Sequence, residues 1–127
     1  MAIKDLIISS KDLLEETVEG VIGKLFKYNE DGEILIANKK FWKLKGEEKV
    51  LRYLAAVAGR QFLDLKNPEI GLNSVQISKA LNINNNSVRA YLSQLRSRGM
   101  IETEKGSNSV TTQGLHDLIE KEDDDND

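Results

Sequence analysis

The sequence predicts an α+β chain that is mostly helical. Apolar residues recur at three- and four-residue spacing over residues 46–63 and again within 74–98, the period of a helix with one buried face. Two Gly-bearing turns, around Asp31-Gly32 and Lys105-Gly106, lie between β-prone runs. The sole Pro, Pro68, falls in a polar stretch between the helical segments and interrupts neither.

Taken in order, Ser9 with Asp12 three residues on resembles a capping box, and acids in the first turn suit the helix dipole. A short helix is expected from about 10 to 19, ended near Gly20. Lys24–Tyr28 and Glu33–Ile36 read as the two strands of a hairpin closed by Asn29-Glu30-Asp31-Gly32. Lys39–Lys45 is a basic connection that carries the only Trp, Trp42. From Gly46 to about Leu63 the pattern is helical, with Val50, Leu51, Leu54, Val57, Ala58 and Phe62 inward and Glu47-Glu48 in the first turn. Lys66–Gly71 reads as a loop.

Residues 73–101 read as two short helices joined by a tight turn. A helix from about Ser74 to Leu81, capped by Asn73 or Ser74, places Val75, Ile77, Ala80 and Leu81 inward. Asn82 tolerates the left-handed conformation of a helix stop, and Ile83 plugs the turn. A second helix starts at Asn84 as N-cap and runs to Arg98, ended by Gly99. Val88, Leu92 and Leu95 form its apolar stripe, supported by Tyr91. Strands at Met100–Glu104 and Ser109–Thr111 follow around a turn at Lys105–Asn108. A last helix from Thr112 turns Leu115, Leu118 and Ile119 inward.

A helix-turn-helix followed by a tight hairpin is the winged-helix plan. Residues 46–121 resemble a winged helix-turn-helix domain of the prokaryotic, and especially archaeal, transcriptional-regulator type. The resemblance covers about 60% of the chain and is carried by Val75–Ile83, Ser87–Leu92 and Leu95–Ile101. Ser78 stands where the family usually has Ala, and Asn82 where it usually has Gly. The domain reading that follows is an N-terminal accessory helix and β-hairpin over 1–45, the winged domain over 46–121, and a disordered acidic tail over 122–127. The resemblance implies that the helix at 84–98 reads the major groove and that the hairpin at about 101–111 flanks it; many regulators of this kind act as homodimers, and the sequence leaves the oligomeric state open.

The residue types fit double-stranded DNA. Arg pairs bidentately with guanine and Asn with adenine, while small side chains let a helix approach base edges. The face opposite the apolar stripe holds Asn85, Asn86, Arg89, Ala90, Ser93, Arg96 and Ser97 and no acid. Asn84 and Ser87 stand where the recognition helix begins, and Lys105, Ser107 and Asn108 are expected at the wing tip. Lys39, Lys40, Lys43, Lys45 and Lys49 offer further cations, read equally well as a solvated connection.

Net charge is -3, which taken alone argues against a polyanionic partner. Its distribution removes the objection: residues 39–66 carry +5 and 67–116 carry +2, against -4 over 1–38 and -6 over 117–127. Charges farther apart than about 8 Å are largely screened at physiological salt, so the local patch decides. The absence of cysteine excludes disulfides, thiolate metal sites and cysteine nucleophiles, and a lone His116 cannot build a metal site. No phosphate-binding Gly loop, Gly-x-Ser-x-Gly elbow or His-Glu-x-x-His is present, so neither an enzyme nor a cofactor is expected. No apolar run reaches the roughly 18 residues of a membrane span, and Met1-Ala2-Ile3-Lys4 does not open a signal peptide. The expectation is a cytoplasmic protein with no membrane partner. The competing reading is a winged-helix interaction module of a transcription or replication complex, docking a protein through residues 1–45 with Phe26, Tyr28, Phe41 and Trp42.

Overall fold

The computed structural model describes residues 9–63, 65 and 69–125. Ser9 starts the first helix, its hydroxyl accepting the Asp12 backbone N–H at 3.0 Å. Helix α1 (Ser10–Thr17) does not stop at Gly20. It widens into a π-turn over Val18–Ile22 and continues as a short α2 (Gly23–Leu25). Gly20 has no positive φ, so it does not act as a left-handed cap. The burial of Val21 and Ile22 holds the chain helical through it.

Strands β1 (Phe26–Tyr28) and β2 (Ile34–Ile36) pair antiparallel, Phe26 opposite Ile36 and Tyr28 opposite Ile34. The turn forms for the expected reason. The Asn29 side chain accepts the N–H groups of Asp31 and Glu33 at 3.0 and 2.9 Å, and Gly32 takes φ +82°. A 3-10 turn over Lys39–Lys43 follows, capped by Asn38, and drives Phe41 into the core while Trp42 stays 46% exposed. Phe26 meets Phe41 and Tyr53 edge-to-face at 5.1 and 6.0 Å. Phe26 and Phe41, expected on a docking surface, are therefore core residues.

Helix α3 (Gly46–Gly59) is the centre of the molecule, with Val50, Leu51, Leu54, Ala55, Ala56 and Val57 all buried. Its small residues near the C-terminal end admit β1: the Tyr28 hydroxyl donates to the Ala56 carbonyl at 2.6 Å. Burial pushes the Tyr28 hydroxyl pKa up to about 12, partly offset by the Arg60 charge, and raises that of Tyr53 for the same reason. The helix ends at Gly59 in a 3-10 turn (Arg60–Phe62), earlier than expected, and leaves Phe62 at the surface. Lys66–Pro68 of the expected loop lie outside the described residues.

Helix α4 (Ser74–Leu81) opens with a reciprocal capping box: Asn73 Oδ1 accepts Gln76 N–H at 2.8 Å, and Gln76 Oε1 accepts Asn73 N–H at 2.9 Å. It closes at Asn82, which takes the left-handed φ of 53°. Only Ile77 and Leu81 of α4 are buried; Val75 and Ala80, expected inward, are exposed. Eight residues packed along one i, i+4 stripe have room for two inward side chains.

Helix α5 (Asn85–Ser97) buries Val88, Leu92 and Leu95. Gly99, at φ +74°, turns the chain into strands β3 (Ile101–Glu104) and β4 (Ser107–Val110), joined by a two-residue turn at Lys105-Gly106. Leu72 adds an antiparallel bridge to Asn108, which ties the approach to α4 onto the hairpin. Helix α6 (Thr112–Asp125) buries Leu115 and Leu118. Its backbone carries residues 122–125, expected as disordered tail, in helix; no Gly or Pro follows Gly114, and Asp117–Lys121 pair at i, i+4.

The fold is thus α+β and mostly helical. Leu13, Ile22, Phe26 and Phe41 pack in one apolar cluster with Leu54, Ile77, Leu92 and Leu118, so residues 9–45 are built into the same core as the rest. No helix among the described residues is long and apolar enough to cross a membrane.

Candidate nucleic-acid interface

Helix α5 is seated on α3 at three points before it presents anything to solvent. Its apolar stripe faces α3. At Gly46 a side-chain carbon would overlap the Tyr91 ring, so the absence of one lets the start of α3 approach the middle of α5. Near the other end Arg98 forms an ion pair with Glu47 of α3. What remains outward is a face of Asn86, Arg89, Ala90, Ser93 and Arg96, all exposed.

The hairpin is joined to this face by a polar relay. Arg96 donates through Nε to Thr103 Oγ1 at 2.9 Å and through Nη2 to Asn108 Oδ1 at 3.4 Å. The Thr103 hydroxyl donates to the same Asn108 oxygen at 2.6 Å, and Asn108 Nδ2 donates to the Leu72 carbonyl at 3.0 Å. A groove of about 670 Å³ runs between α5 and the hairpin, with Arg89, Ala90, Ser93 and Arg96 along one wall and Thr103 and Gly106 on the other.

The alternation of β3 decides the charge of that groove. Ile101 is buried and Thr103, though exposed, bonds Arg96 and Asn108 on the same side of the strand, so Glu102 and Glu104 stand on the opposite side. With no acid on α5, the groove wall is cationic and amide-bearing in a chain of net charge -3. Among the described residues Arg89 makes no hydrogen bond or ion pair, which leaves its guanidinium available to a ligand.

No family model, curated protein or solved structure matches the chain. The interface therefore stands on its own geometry. The structure brings Asn86, Arg89, Ala90, Ser93 and Arg96 together on one face and sets Lys105, at φ +51°, with Ser107 at the exposed turn. Asn84 is used otherwise: its side-chain oxygen caps the helix by accepting Asn86 N–H at 2.8 Å. Ser87 and Asn85 are half-buried, and Asn85 Oδ1 is enclosed with no hydrogen-bond partner among the described residues.

Asn108 corrects the expectation most clearly. It is 3% exposed and sits inside β4, not at the tip, because the turn is two residues rather than four. Sequence reasoning also missed Thr103, although its two-residue offset from the core-facing Ile101 is the signal that puts it on the side of β3 that meets α5. Asn73 and Ser74, read only as helix caps, line the same groove. Among the described residues no group of three or more His, Asp or Glu is placed to hold a metal ion.

Proposed function

We propose that this protein binds double-stranded DNA as a winged helix-turn-helix protein and acts as a transcriptional regulator. In this reading α5 lies in the major groove and the Lys105-Gly106 turn flanks it. One observation carries the proposal: the exposed, acid-free face of α5, with an Arg89 that has no partner among the described residues beside Ala90 and Ser93, in a chain that is acidic overall. The Leu72–Asn108 bridge and the Arg96 relay support it, since they fix helix and hairpin relative to one another. A reader that must meet two features of a duplex at once needs that rigidity.

Selection from a randomised duplex pool tests the reading. The protein is expected to enrich one motif, and Arg89→Ala to lose about 1–3 kcal/mol on that motif while relaxing one base position. Equal, feeble binding to every duplex by both proteins contradicts it.

A second reading, a protein-docking module of a transcription or replication complex, draws on the exposure of Trp42 and Leu35, at 46% and 50%. A stoichiometric protein partner retained without DNA distinguishes it. A homodimer, the state of many regulators of this kind, belongs to the DNA proposal, and light scattering of the free and duplex-bound protein checks it.

A further inference from the structure

Of the two arginines that α5 turns toward the groove, one is free and one is held. Arg89 has no partner among the described residues, whereas Arg96 has its Nε and one Nη2 proton engaged by Thr103 and Asn108. The two lie seven residues apart, about 10 Å along the helix axis, so they address different features of a duplex whose major groove is about 12 Å wide. Resting on the DNA reading above, we propose that Arg96 is a phosphate anchor held ready by the Thr103–Asn108 pair, and that base discrimination falls to Arg89.

The chemistry separates the roles. Reading guanine takes two parallel N–H donors on a side chain free to extend to the base edge. Arg96 is drawn back toward the hairpin, and Asn108, itself buried and bonded to the Leu72 carbonyl, gives it a fixed seat. Three of its five N–H groups remain, on the outer edge of the guanidinium. An edge of that kind suits a phosphate oxygen, and the rotamer entropy of ordering the side chain is already spent in the free protein. Glu102 and Glu104, on the other side of β3, do not compete for it. Thr103 and Asn108 are positioning residues in this arrangement, acting through Arg96.

Anisotropy titrations over a series of salt concentrations test it, using the full chain with the selected duplex and a scrambled one. Arg96→Gln is expected to weaken both duplexes alike and to lower the slope of log affinity against log salt by about 1. Arg89→Ala is expected to shrink the ratio between the duplexes. Thr103→Val keeps the charge and loses only the seat: affinity falls about three- to tenfold on both duplexes with the salt slope unchanged. Arg96→Lys does the same, because lysine has no Nε–H to place. Thr103→Ser restores binding, which a fold defect would not. Thr103→Val binding like the wild type overturns the proposal, as does Arg96→Gln collapsing the ratio with the slope intact. Wild-type protein with neither motif nor salt slope overturns the DNA reading as well.

Discussion

The molecule contains two hairpins that the sequence announces with the same signal and the fold uses in opposite ways. The β1–β2 hairpin turns on Gly32 and is sunk into the core by Phe26, with Tyr28 bonded to α3. The β3–β4 hairpin turns on Gly106 and is exposed along most of its length; Ile101 at its base is in the core, and beyond that it is tied to α5 and Leu72 by the polar bonds of Thr103 and the buried Asn108. Apolar burial is non-directional and scales with area, so the first hairpin contributes stability whatever its exact angle. Hydrogen bonds constrain distance and direction, so the polar bonds of the second hold its outer part at a set position. One motif is thus built once into the core and once largely onto the surface.

The largest expected break in this contrast is Phe26→Ala. It removes a ring at the junction of Phe41 and Tyr53 and is expected to cost about 3–5 kcal/mol, read by thermal or urea unfolding. Asn108→Ala comes next, at about 1–3 kcal/mol, because it removes the side-chain bond to the Leu72 carbonyl and the oxygen that accepts from both Thr103 and Arg96, while the Asn108 backbone N–H still reaches Leu72. On duplex binding the order reverses: Asn108→Ala weakens affinity under conditions where both variants remain folded, and Phe26→Ala does not.

The smallest effect sharpens the description of the first hairpin. Tyr28→Phe loses the bond to Ala56 and about 1 kcal/mol at neutral pH. The wild-type hydroxyl is raised from 10.0 to about 12, so the folded state disfavours its ionisation. Stability is then full below pH 10 and falls as pH rises toward 12, and Tyr28→Phe flattens that part of the profile. Alkaline unfolding of the variant with an unchanged slope contradicts the assignment.

Much of this architecture is legible in the sequence because its punctuation is local. Asn73, Asn82 and Asn84 mark the ends of α4 and the start of α5 through bonds or dihedrals within a few residues, and Asp31-Gly32 closes its turn the same way. What is not legible depends on distant partners. Gly20 reads as a stop, yet the burial of Val21 and Ile22 carries the helix past it. Asn108 reads as turn chemistry until Leu72, 36 residues away, and Arg96 claim its side chain. On the candidate site, periodicity finds the exposed face of α5, but only the relay tells Arg96 from Arg89.

The central claim is that α5 and the second hairpin meet DNA while the first hairpin does not. Backbone amide shift mapping on addition of the selected duplex measures this directly. The account predicts changes confined mainly to Asn86–Ser93, Arg96 and Lys105–Ser107, with Phe26–Ile36 unmoved. Shifts gathered instead around Leu35 and Trp42, or none at any duplex concentration, contradict it.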